Sequence, residues 1–124
     1  MAGDFLKNRA PSNLGASLAT LPRVQEVVGG IEARLAVNAR LIESFAGDYD
    51  DGVLLTTSES NIVKLTMTNN AVAVVEDALS LTSNHGLTRA NPLERHYRDV
   101  LCGRVHTPQD DATRVSAGRL VLGV

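Results

Sequence analysis

The 124-residue sequence has one cysteine, no tryptophan, and only two phenylalanines and two tyrosines. With Cys102 alone, no intramolecular disulfide can form, so a small disulfide-stapled fold is excluded and a reducing compartment is compatible. Aromatics are 3% of residues, while hydrophobic residues make up 44%, so the core must be built from Val, Leu, Ile and Ala. Neither sign of charge dominates: 12 Lys and Arg face 14 Asp and Glu, for a net charge of −2. The basic residues form no block, which leaves nucleic-acid binding without electrostatic support. No apolar run approaches the ~20 residues of a membrane-spanning helix. The first twenty residues also lack the continuous apolar segment of a signal peptide. A soluble cytoplasmic protein is the expectation.

Metal and phosphate motifs are missing too. The three histidines are not arranged as His-Glu-x-x-His, there is no cysteine pair, and no Gly-rich phosphate loop or nucleophile elbow occurs. The acidic stretch Gly47-Asp48-Tyr49-Asp50-Asp51-Gly52 lacks the spacing and closing glutamate of a calcium-binding EF-hand loop. It reads as a turn that caps the following helix, and no metal ligands are assigned.

What is present is helical periodicity. The length predicts one domain. Residues 1–20 read as an irregular arm, punctuated by Pro11, Ser12, Asn13 and Gly15, and residues 21–124 as a helical unit. Over 22–46, Val24, Val28, Ile31, Leu35, Asn38, Ile42 and Phe45 recur in steps of three and four, the stripe of a packed helix. Asn38 within it reads as a register-setting or water-binding asparagine. Gly29-Gly30 suggests a close crossing or a kink. A second long helix is predicted over 53–84, with Ile62, Leu65, Val72, Val75, Ala78 and Leu79 on its buried side. Thr56-x-x-Glu59 forms a possible capping box that would delay its start to about Ser58. A strand through 71–75 is the rival reading, but no turn signals bound it.

The region Thr82–Ala112 then holds three helix ends, all the histidines and Cys102. Asn84-His85-Gly86 reads as a helix C-cap. Asn91-Pro92-Leu93-Glu94 starts a third helix, 92–102, with Gly103 as its C′ residue. Glu94 and Arg98 are spaced to pair along it. Thr107-Pro108 opens a fourth helix, 108–122, with Asp110 and Asp111 in its electropositive first turn. The expected fold is an all-α antiparallel bundle of about four helices, two long and two short.

The run from Asn91 to Gly123, and more weakly the sequence back to about Leu21, resembles the C-terminal helical domain of acyl-CoA dehydrogenase-like flavoproteins. The matching positions are Asn91-Pro92-Leu93, Arg98-Asp99, His106, Asp110-Asp111 and Gly118-Arg119. The histidine after the Arg-Asp helix places the resemblance nearest the flavin-dependent monooxygenase-like branch. The glutamate base of the dehydrogenases would align at about Thr107. The resemblance implies part of an oxidoreductase without its N-terminal and middle domains, and without the first helix of the bundle. It implies FAD or FMN as cofactor in a complete enzyme, and either that flavin or none on this chain alone. By the same resemblance His106 would be the catalytic residue. Asn84, His85 and Gly86 would contact a neighbouring subunit's flavin, and Gln109, Asp110 and Asp111 would approach the cofactor.

Two readings compete. One is the C-terminal domain of a flavin-dependent oxidoreductase, contributing to the flavin and substrate site and to oligomerisation, with a flavoprotein partner chain. The other is a non-enzymatic helical assembly module that binds no flavin alone. Both imply a homo-oligomer, a dimer or tetramer, because the long helices carry more apolar faces than four helices can hide. If the chain were instead a monomer, the arm would cover the vacant groove with Phe5 and Leu6.

Overall fold

The fold is known from a computed structural model that describes residues 2–8, 17–82 and 92–124. In chain order these form α1 (Ala2–Asn8), a 3-10 turn (Leu18–Thr20), α2 (Pro22–Asp50), α3 (Thr57–Thr82), α4 (Pro92–Val105) and α5 (Asp110–Leu122). No strand occurs among the described residues, and 71–75 lies inside α3. The all-α expectation holds.

α3 is the hub, and α1, α2, α4 and α5 all pack against it. Side-chain pairings fix the directions. Arg34 meets Asp77 at 2.8 Å and Asn38 meets Asn70 at 3.0 Å, so α2 and α3 run antiparallel. Lys64 meets Gly103 while Glu76 meets Tyr97, so α4 returns antiparallel to α3. Asn38 sets the α2–α3 register as anticipated: its amide donates to the Met67 carbonyl at 3.1 Å and its oxygen accepts from Asn70.

The ends of the elements follow local chemistry. α3 begins at the capping box. The Glu59 amide donates to the Thr56 hydroxyl oxygen at 3.2 Å, and the Thr56 amide donates to the Glu59 carboxylate at 2.9 Å. That reciprocal pair explains why residues 53–56 stay outside the helix. α2 runs four residues further than expected, through Gly47. The chain turns only at Gly52, whose φ of 73° suits a residue without a Cβ. The Glu94–Arg98 pair forms at 2.9 Å.

Several expectations are corrected. Residues 2–8 of the arm are helical, because α1 docks on α3 and buries Leu6 to 3% exposure. Gly103 does not end its helix, since α4 continues to Val105. A Cβ at Gly103 would lie 2.7 Å from the Thr68 methyl, so the glycine is there to let α4 approach α3. Gly29-Gly30 marks no crossing, for a Cβ at Gly29 would meet nothing within 4 Å. α5 starts at Asp110 with extended Gln109 as N-cap, two residues later than Pro108 suggests. The Asn84-His85-Gly86 and Asn91 caps lie outside the described residues.

The core is narrow. Among the described residues, Leu6, Val72, Ala78 and Leu93 are the buried apolar ones, and α2 contributes none. Val24, Val27, Ile31, Arg34, Asn38 and Leu41 turn toward α3 and are half-buried. Val28, Leu35, Ile42, Phe45 and Tyr49 stay 41–74% exposed, with Ile42 and Phe45 lining an open groove beside α3. Leu35, expected in the core, is therefore on an open face. The accessible surface is 8427 Å², against about 6400 Å² for a compact monomer of 13.2 kDa.

Candidate functional site

The turn between α4 and α5 carries His106, and polar residues of α3 shape it. Helix ends leave carbonyls without intrahelical partners. At the end of α4 the Cys102 carbonyl accepts from the His106 amide at 2.9 Å. The Gly103 carbonyl accepts from Lys64 Nζ at 2.7 Å. The same ammonium donates to the His106 carbonyl at 2.9 Å and to the Pro108 carbonyl at 2.9 Å. A lysine has three N–H donors, and all three are used on this turn. The His106 side chain is exposed, with Nδ1 3.1 Å from the Thr107 carbonyl.

Asn69, one turn along α3 from Lys64, makes the second tie. Its amide donates to Asp110 Oδ2 at 2.8 Å and to the Leu65 carbonyl at 2.9 Å, and its oxygen accepts from Arg104 Nε at 3.2 Å. Asp110 is half-buried, and its other oxygen, Oδ1, is buried without a protein partner. Asp111 is exposed and accepts from the Ala112 amide at 2.8 Å, a local cap on α5. Gln109, also exposed, makes no side-chain cap bond. These residues, with Arg104, Val105 and Arg114, line an open depression of about 540 Å³. A second, apolar groove of about 460 Å³ lies between α2 and α3, lined by Ile42, Phe45, Ala46, Val63, Met67 and the Lys64 stem among others.

The structure therefore brings Gln109, Asp110 and Asp111 into one depression, and puts His106 on the adjoining turn. Asn84, His85 and Gly86 lie outside the described residues. Lys64 and Asn69 were not foreseen as part of the site. The signal available was that polar residues interrupt the apolar side of α3. No cluster of three metal-ligating side chains occurs among the described residues. No helix there is long and apolar enough to cross a membrane.

Comparison with known proteins bears on the whole bundle. Residues 4–110 match the family described as acyl-CoA dehydrogenase, C-terminal domain. The chain is 35% identical over 113 residues to the putative acyl-CoA dehydrogenase YdbM of Bacillus subtilis (strain 168), covering 90% of this chain and 30% of that protein. It is 29% identical over 118 residues to the mitochondrial short-chain specific acyl-CoA dehydrogenase of Bos taurus, covering 94% of this chain and 28% of that one. The crystal structure of an acyl-CoA dehydrogenase from Slackia heliotrinireducens superposes with a TM-score of 0.84 at 21% identity. The superposition covers 98% of this chain and 31% of that chain, a likeness of fold. The chain thus spans about a third or less of the proteins it matches.

Proposed function

The chain belongs to the acyl-CoA dehydrogenase family through its C-terminal domain, and on that footing we propose that it is the helical C-terminal part of a flavin-dependent oxidoreductase acting on acyl-CoA-type substrates. In this reading the α4–α5 turn and the first turn of α5 form one wall of the flavin site. The observation that carries it is the Asp110 carboxylate. One oxygen is held by Asn69 and the other is buried with no protein donor, inside a depression within or beside the matched stretch. A buried acceptor without a donor is costly, and a hydroxyl or N–H of a flavin would satisfy it. The residues present thus fit one edge of such a group, FAD or FMN.

When bound, the flavin supplies hydride or oxygen chemistry that no side chain here can supply. The chain's residues bind and orient. Asp110 Oδ1 accepts a donor from the cofactor, Gln109 offers an amide, and the free N–H groups of α5's first turn face negative charge. Asp111 is engaged on its own helix, and supports the α5 start rather than the ligand. His106, exposed beside this wall, holds or accepts a proton at an imidazole nitrogen. Thr107, without a carboxylate, is no substitute for a dehydrogenase base. The relatives named above are dehydrogenases, so the monooxygenase-like reading rests on His106. The test is His106→Ala in a flavin-loaded assembly containing this chain. Turnover should fall about 10²–10⁴-fold, as for a lost general acid or base, with the flavin still bound. Unchanged turnover would remove His106 from the mechanism.

A second part of the proposal is assembly. The open stripe of Val28, Leu35, Ile42, Phe45 and Tyr49 adjoins the apolar α2–α3 groove. A homodimer or homotetramer packed through α2 would cover it, and a flavoprotein partner chain is the alternative occupant. This face alone would also serve a non-enzymatic assembly module. Flavin binding separates the two readings.

A further inference from the structure

We propose that Lys64 is a positioning residue for the His106 turn, a role that rests on the flavin-site reading above. Three observations converge. The ammonium spends every proton on backbone carbonyls of one six-residue stretch, Gly103, His106 and Pro108, at 2.7–2.9 Å. Only the first of these carbonyls belongs to α4, so capping the helix does not explain the other two. His106 and Pro108 lie in the turn, where no regular secondary structure orders the backbone.

The chemistry suits lysine in particular. Its tetrahedral ammonium directs three donors from one nitrogen to three convergent acceptors. Arginine spreads its donors in a planar fork and cannot place three bonds at one nitrogen. A cation at the C-terminal end of α4 is also favoured by the helix dipole. The Lys64 stem is anchored beside Phe45 and Met67 in the α2–α3 groove, so the head is held against the turn from a packed element. Asn69 fixes the α5 end of the same connection through Asp110. The turn is thereby fastened to α3 on both sides of His106. Its imidazole is free to meet a ligand while its backbone is not free to wander.

The experiment compares Lys64→Met, which keeps the stem and removes the donors, with Lys64→Arg. Amide hydrogen exchange of the chain reads the turn directly, because the His106 amide is itself bonded to Cys102. In Lys64→Met its exchange should quicken about tenfold or more, as for loss of charge-assisted hydrogen bonds. The Val72 amide, in the core of α3, should keep its rate. Lys64→Arg should regain part of the protection. An unchanged His106 amide, or equal acceleration at Val72, would overturn the clamp. In the flavin-loaded assembly, Lys64→Met should lower kcat by about 10²-fold through misplacement, with KM moving less. A loosened turn with full kcat, in an assembly where His106→Ala remains damaging, would overturn the positioning role and leave the function standing. If His106→Ala has no effect, the functional reading fails, while the exchange result still decides whether Lys64 holds the turn.

Discussion

Replacing Gly103 by alanine probes how closely α4 must lie on α3 to present the turn. The new Cβ would sit 2.7 Å from the Thr68 methyl and 3.4 Å from its hydroxyl oxygen. Carbon atoms in contact prefer about 3.5–4.0 Å, so roughly 1 Å of overlap must be relieved. Thr68 is β-branched and stiff at χ1 within α3, so much of the relief must come from α4 moving outward. Overpacking of this kind costs about 1–3 kcal/mol. Against it stands a gain of about 1 kcal/mol for alanine over glycine in a helix. The net expectation is about 0–2 kcal/mol of destabilisation. Gly29→Ala provides the reference, because its Cβ meets nothing within 4 Å and α2 should gain about 1 kcal/mol in full. The two alanines should therefore differ by about 1–3 kcal/mol in urea unfolding, with unchanged m-values. Thr68→Ser keeps the hydroxyl while removing the offending methyl. In a double-mutant cycle it should recover much of the cost of Gly103→Ala. If Gly103→Ala stabilises as much as Gly29→Ala, or Thr68→Ser shows no coupling, the close α3–α4 approach is wrong.

Glu59 gives a pH prediction. The Thr56 amide and hydroxyl hold its carboxylate below the usual range. The stabilisation is therefore present above the ordinary glutamate pKa of 4.5 and is lost as pH falls through the lower folded value. Glu59→Gln should flatten that acid-side loss of helicity, and circular dichroism between neutral pH and pH 3 would show otherwise if the capping box carries no weight. Val72, fully buried, should lose about 1–3 kcal/mol on truncation to alanine. Leu35→Ala, on a side chain 46% exposed, should cost the monomer less than about 1 kcal/mol and act instead on association. Sedimentation would read it: the wild-type chain should be a dimer or tetramer at micromolar concentration and Leu35→Ala should dissociate more readily. A wild-type chain that stays at 13.2 kDa as concentration rises would contradict the α2 interface.

The helices were legible because their signals are local. The three-and-four spacing of α2, and the reciprocal Thr56–Glu59 cap, depend on residues a turn apart. What escaped depended on residues far apart in sequence. A glycine near a helix end looks alike whether it terminates the helix or admits a neighbour, and only Thr68, 35 positions earlier, decides for Gly103. The apolar residues of α2 span a broad arc, and periodicity does not say which part of it α3 covers. That is why Leu35 looked like core. Helix α1 is too short to be stable alone and forms through the burial of Leu6 against α3. At the site, His106, Gln109, Asp110 and Asp111 were visible through resemblance. Lys64 and Asn69 were visible only as polar interruptions of α3, since their partners lie 35 to 44 residues away.

Flavin binding tests the central claim most directly. The chain, alone and in its flavoprotein assembly, should be titrated with FAD and with FMN while the flavin absorbance and fluorescence are followed. The account predicts that flavin is bound in the assembly, and that Asp110→Ala weakens it by about tenfold or more, as expected for one lost charged hydrogen bond. An assembly that stays colourless, or one whose flavin affinity ignores Asp110→Ala, would contradict the claim that this bundle forms a wall of a flavin site.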